Sequence, residues 1–178
     1  MVMTAPAQDI EHVLITRSGL TLSVRSAVPE DERRLEEFFE QVSEEDRRFR
    51  FLNAQPHVGH EQLRPIVEAD HFRSESFLAF EAESGEMVAS GLLACDKPLE
   101  IAEIAVSVRS DYRNRGVGWA MLDLLAGEAQ RRGVREVIAI EDRDNHAAIE
   151  LEREKGFEPR AFEGDPHLVI LAKSFEPA

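Results

Sequence analysis

Residues 101–119, Ile-Ala-Glu-Ile-Ala-Val-Ser-Val-Arg-Ser-Asp-Tyr-Arg-Asn-Arg-Gly-Val-Gly-Trp, constrain the fold more than any other stretch of this chain. Strand alternation over 101–108 sends Ile104, Val106 and Val108 to one face and Glu103, Ala105 and Ser107 to the other. Ser110 and Asp111 supply turn residues. Arg113-Asn114-Arg115-Gly116-Val117-Gly118 then opens a run in which Val117, Ala120, Met121, Leu124 and Leu125 recur at helical spacing. A strand that passes through a turn into a helix leaves the first helical amides unpaired, with the positive end of the helix dipole at the turn. Gly116 and Gly118 remove side chains that would keep an anion from that backbone, and Arg113 and Arg115 add positive charge. The pattern fits a pyrophosphate cradle. It fits equally an ordinary strand–helix connection in which glycines permit close packing. The Gly-x-x-x-x-Gly-Lys-Ser/Thr loop of nucleotide triphosphatases and the Gly-x-Gly-x-x-Gly dinucleotide fingerprint are both absent.

The rest of the chain sets the frame for that unit. Its 178 residues, 43% of them apolar, suit one globular domain with a real core, expected over 12–178 behind a flexible leader at 1–11. No run is long and apolar enough to cross a membrane, and the N-terminus lacks the basic and apolar regions of a secretory signal. The single cysteine, Cys95, forbids an internal disulfide and suits a cytoplasmic location, with the thiol expected to be buried and structural. A formal net charge of −14 repels nucleic acid and favours basic proteins or cationic amines, although it also serves solubility alone. The six histidines show no metal-ligand spacing, so no metal is expected.

Strands are expected at Val13–Thr16, Leu20–Ala27, Ser76–Glu81, Met87–Ala94, Val134–Ile140, Phe157–Phe162 and Leu168–Lys173, besides 101–108. Helices are expected after Pro29, after Ser43 as N-cap, over Glu61–Glu68, from Val117 to about Arg131, and from Asn145 to Gly156. The strand at 134–140 follows a strand–helix unit and should lie parallel to 101–108. The fold class is therefore α/β, one domain with a mixed, mostly antiparallel sheet and helices flanking it. The uncovered edge of such a sheet suits pairing into a homodimer.

Two segments together carry a family resemblance. Arg113-x-x-Gly116-x-Gly118 after an apolar strand resembles the acetyl-CoA signature of the GNAT superfamily of N-acetyltransferases. Asn145-His-Ala-Ala-Ile-Glu-Leu-Glu-Arg-Glu-Lys-Gly156-Phe157 resembles that family's Asn-x-x-Ala…Gly-Phe segment at matching spacing. The resemblance covers roughly residues 21 to 172. Within the family, Arg25-Ser-Ala-Val-Pro-Glu-Asp, Phe38-Phe39 and Ser43-Glu-Glu-Asp-Arg47-Arg48-Phe49-Arg50-Phe51 are similar to the acetyltransferase domain of bacterial Pat-type protein lysine acetyltransferases. The large regulatory regions that often accompany that domain have no counterpart in these residues.

The resemblance implies a GNAT fold with central splayed parallel strands and acetyl-CoA as cosubstrate. Val106, Ser107 and Val108 would meet the pantetheine arm through their backbone. Arg113, Asn114, Arg115, Gly116, Val117, Gly118 and Trp119 would hold the pyrophosphate, and Asn145 would contact the arm or simply cap its helix. The acceptor it points to first is a protein lysine, then a small-molecule amine. A catalytically weak acetyl-CoA-binding sensor is the reading of a different class. An ammonium has no lone pair, so a base must take a proton, and Glu103 in its Ala-Glu-Ile-Ala-Val context is the candidate. Glu103 sits mid-strand among apolar residues, where burying an unpaired carboxylate is expensive. Arg47, Arg48 and Arg50 form either a solvated helix face or contacts at the pocket rim. The family often places a tyrosine as proton donor seven residues after the asparagine; here that position holds Glu152, and the only tyrosine is Tyr112.

Overall fold

The computed structural model describes residues 12–52 and 57–175; the leader expected at 1–11 lies outside the described residues. Strands β1 (His12–Ile15) and β2 (Thr21–Ser26) form the first hairpin. A 3₁₀ turn at Pro29–Asp31 leads into helix α1 (Glu32–Glu40), followed by α2 (Glu44–Phe51) and α3 (His60–Val67). The chain continues through β3 (Ser74–Glu81), β4 (Met87–Cys95), β5 (Ile101–Val108), α4 (Val117–Arg131), β6 (Glu136–Asp142), α5 (His146–Glu154), β7 (Glu158–Ala161) and β8 (Leu168–Ser174). The strands make one sheet in the order β1-β2-β3-β4-β5-β6-β8-β7. Only the β5/β6 neighbours are parallel, because α4 carries the chain back across the sheet between them.

Helices cover both faces, so the sheet has two cores. On one face Met121 and Leu125 of α4 pack with Leu22, Phe77, Val88, Leu93, Ile104, Val137 and Leu171. On the other, Leu35, Phe38 and Phe39 of α1 and Leu63 and Ile66 of α3 pack with Leu78 and Met87. Gly91 lets α4 come close to β4: a Cβ there would stand 3.1 Å from both Met121 Cε and Leu125 Cδ1. Among the described residues no helix is long and apolar enough to cross a membrane.

Several boundaries differ from expectation for local reasons. β6 starts at Glu136 rather than Val134, because the Arg135 and Glu136 amides both donate to Glu100 O, at 2.8 and 3.2 Å, as the chain enters the sheet. Ser43 caps α2 by accepting from the Asp46 amide at 3.1 Å, but the Asp46 carboxylate faces Arg113 at 3.5 Å instead of closing a capping box. Cys95 is half-buried rather than fully enclosed, and burial raises its thiol pKa.

Candidate active site

β5 has different neighbours along its two edges. Against β4 it keeps a continuous register from Cys95↔Ala102 to Ala89↔Val108. Against β6 the pairing covers only Ile101↔Glu136, Ala102↔Val137 and Glu103↔Ile138. Both strands run on past that point, β5 to Val108 and β6 to Asp142, but they separate. The edge of 104–108 that faces β6 therefore has no strand partner, and a cleft of about 470 Å³ opens between the strands. Unpaired strand edges are a ready binding surface for an extended, amide-bearing ligand.

The cleft runs onto the N-terminus of α4. Gly116 is the N-cap residue in the left-handed region, φ 81°, with no side chain capping the helix and no acidic residue in its first turn. The β1–β2 turn closes in beside it: a Cβ on Gly116 would stand 3.3 Å from Arg17 N and from Thr16 Cβ. Ser18 Oγ donates to Arg115 O at 2.6 Å. Arg17 and Lys155 both stack on Trp119, at 3.9 and 3.7 Å from the ring centroid. Uncapped amides, a helix dipole and nearby cations make this end of the cleft suited to an anion.

The other end is lined by carboxylates. Glu152, on α5, is only 4% exposed, and its Oε1 is buried without a hydrogen-bond partner. Burial, and then the neighbouring Glu141 carboxylate, push its pKa far above the usual carboxylate range. Burial likewise raises Glu141, opposed by hydrogen bonds from Glu152 and Asn145 and by the charge of Arg50. Asn145 Nδ2 donates to Glu141 Oε2 at 3.2 Å, while its Oδ1 accepts from the Ala148 amide at 3.4 Å as a helix cap. Arg50 reaches in from α2; burial lowers its pKa, and Glu103 and Glu141 act against that.

Of the residues expected to bind the cofactor or act as base, all line this cleft except Arg115, whose guanidinium lies over Tyr112, 4.6 Å from the ring centroid. The apolar surroundings expected of Glu103 are not found. Its neighbours Ala102 and Ile104 point into the core, while its own face opens into the cleft and leaves it exposed. Of the three α2 arginines only Arg50 lines the cleft. Arg47 Nη1 donates to Phe39 O and Val42 O, at 3.0 and 2.9 Å, and so ties α2 to the end of α1. Burial, and then the Glu81 carboxylate, raise the pKa of the Tyr112 hydroxyl. Sequence reasoning missed Arg17, Asp46 and Glu141, which line the cleft from three other elements. Among the described residues no group of three or more His, Cys, Asp or Glu side chains could hold a metal ion.

A central pair of parallel strands that part over an uncapped helix N-terminus is the architecture of an acyl-CoA-dependent transferase. The chain belongs to the acetyltransferase (GNAT) family, whose model matches residues 31–157, and it is an acetyl-CoA-dependent acetyltransferase. An acetyltransferase of Pseudomonas aeruginosa is 28% identical over 136 residues, 75% of this chain and 73% of that protein. The GNAT domain of Streptomyces lividans PAT superposes with a TM-score of 0.84 and 25% identity, over 93% of this chain and 97% of that one. A Sinorhizobium meliloti phosphinothricin acetyltransferase solved with acetyl-CoA shares the fold, with a TM-score of 0.69 at 18% identity over 86% of this chain and 88% of its own.

Proposed function

We propose that this protein acetylates the amine of a protein lysine, with Glu103 as general base. The observation that carries this reading is the position of Glu103. It lies at the last paired residue of β5, where the strands part, and it is exposed to solvent and to the cleft. A side-chain amine tethered to a protein surface can reach such a carboxylate, whereas a sealed pocket would admit only a small molecule. The similarity to the PAT domain and the net charge of −14, which favours a cationic acceptor, support the same reading.

In this reading the unpaired edge at Val106, Ser107 and Val108 holds the amide-bearing arm of the donor. The amides from Gly116 to Trp119, with Arg113 and Asn114, hold its pyrophosphate. Asn145 fixes the far wall through Glu141. The thioester carbon is thereby placed near Glu103. Glu103 removes a proton from the acceptor ammonium and passes it to solvent, the freed nitrogen attacks the carbonyl carbon and the new C–N bond forms; the nitrogen then sheds a second proton as the C–S bond breaks, and the thiolate that leaves with the bonding pair takes up a proton, so each turnover releases one amide, one thiol and one proton.

The test is a thiol-release assay with acetyl-CoA over a panel of lysine-bearing proteins and small amines. Turnover on proteins is the expected result; turnover on small amines alone would replace the acceptor. Glu103→Gln should lower kcat by ~10²-fold or more while leaving the acetyl-CoA Kd unchanged. An unchanged kcat would remove Glu103 from the mechanism. Acetyl-CoA binding without turnover on any amine would make the protein a sensor.

A further inference from the structure

Two segments build the anion end of the cleft, and only one of them is the turn into α4. The other is the turn between β1 and β2, which precedes residues 31–157, the part that the family's model matches. That turn is held by its own hydrogen bonds. The Thr16 amide donates to Leu20 O at 2.8 Å, the Gly19 amide to Thr16 O at 2.9 Å and the Leu20 amide to Thr16 Oγ1 at 3.0 Å. Thr16 itself is only 5% exposed. Its Oγ1 lies 2.9 Å from Ser18 Oγ, which in turn donates to Arg115 O at 2.6 Å. The turn is therefore rigid in itself and tied to the segment that opens α4.

The side chain it presents to the cleft is Arg17. The guanidinium carbon stands 3.9 Å from the ring centroid of Trp119, in the first turn of α4. The other cation on that indole is a contrast. Lys155 has a side chain only 9% exposed and is paired with Asp123. Arg17 is exposed, and among the described residues it forms no ion pair. The chain carries 35 acidic residues against 21 Lys and Arg, so carboxylates are abundant. An arginine at a cleft that avoids them all has its counter-charge to take from solvent or from a ligand.

We propose that Arg17 clamps a phosphate of the donor's nucleotide end, with Trp119 as the plate that holds its guanidinium in position. Stacking on an indole uses the face of the guanidinium and leaves its in-plane N–H groups free. Those groups form a fork that fits two oxygens of one phosphate. The amides at the start of α4 approach the anion along the helix axis, and the fork meets it from the hairpin beside Gly116. A side chain already held on an aromatic ring loses less freedom on binding than one loose in water. The clamp lies outside the family-matched residues, so it is a property of this chain's added hairpin. It makes affinity depend on the phosphates of the donor and not only on its thioester arm.

This inference rests on the cleft and the α4 N-terminus being the donor site, and the experiment separates the two. Acetyl-CoA and acetyl-dephospho-CoA, which lacks the 3′-phosphate, are titrated by calorimetry into wild type, Arg17→Gln and Arg17→Lys. Arg17 is exposed, so all three proteins should share one unfolding midpoint. Arg17→Gln should bind acetyl-CoA roughly 10- to 100-fold more weakly, the range for a lost charge-assisted hydrogen bond. Arg17→Lys keeps the charge without the fork and should fall between the two. A loss that disappears with acetyl-dephospho-CoA assigns the clamp to the 3′-phosphate, and a loss that persists assigns it to the pyrophosphate. In a Trp119→Leu background the effect of Arg17→Gln should shrink, because the plate is already gone. Equal affinity of wild type and Arg17→Gln for both ligands would overturn the clamp. An undiminished effect without Trp119 would overturn the role of the plate. Failure of wild type to bind acetyl-CoA would instead overturn the donor-site reading beneath it.

Discussion

Asp31, at the start of α1, and Glu152, at the floor of the cleft, are equally withdrawn from water, each 4% exposed, yet they are held in opposite charge states. Asp31 takes both Arg25 Nη atoms at 2.8 Å and the Val28 amide at 2.9 Å, with Arg34 at 3.6 Å. Burial alone would raise its pKa; those partners outweigh burial and hold it below the usual value. Glu152 has another carboxyl against it, and burial and that neighbour both push the same way. The partner, not the depth, decides which buried acid is charged. The fold places its satisfied carboxylate where a helix must be anchored and its unsatisfied one in the wall of the cleft. Buried groups left short of partners tend to mark working sites.

Substitutions can break this comparison. The largest effect is expected at the anchor. Asp31→Ala removes a buried, bidentate partner and should lower unfolding stability by about 3 kcal/mol, read from the denaturant midpoint at unchanged slope. Its contribution has the sign of a depressed acid, present at neutral pH and lost as pH falls through the folded value. The cleft should behave the other way. A raised acid costs no stability below its unfolded pKa, near 4.5, and an increasing amount as pH rises toward the folded value. Glu152→Gln should therefore be more stable than wild type at pH 8, by roughly 1 to 2 kcal/mol. The smallest response is expected from the same variant at pH 4, where wild type and variant should unfold together. A stability gain that did not depend on pH would mean that Glu152 is already charged in the fold.

The sequence carried most of the architecture because its signals are local. The alternation at 101–108, the helical spacing after Gly116 and the intervening crossover were enough to place β5, α4 and a parallel β6. The site was legible where it depends on one continuous turn, as at Gly116 and Gly118. It was not legible where distant elements meet. Arg17 reaches Trp119 from a hairpin turn about a hundred residues earlier, and no pattern in either segment announces that contact. Glu152 stood out in sequence only as the residue at the position where the resemblance puts a tyrosine. Its offset from Asn145 puts both on one side of α5, but only the packing of α5 over Glu141 shows that this side is buried. The exposure of Glu103 escaped for the related reason that strand alternation gives a side chain's face and not what covers that face.

The account depends first on the cleft and the α4 N-terminus forming one donor site, and calorimetric titration of acetyl-CoA into wild type and Gly118→Phe tests that most directly. A Cβ at residue 118 would stand 3.4 Å from Leu151 Cδ2 and 3.9 Å from Val108 Cγ2, so an aromatic ring there must project into the cleft or displace its walls. The account predicts saturable binding to wild type and at least a ~10²-fold loss of affinity in a Gly118→Phe protein that circular dichroism shows to be folded. Equal affinity in the two proteins would contradict it.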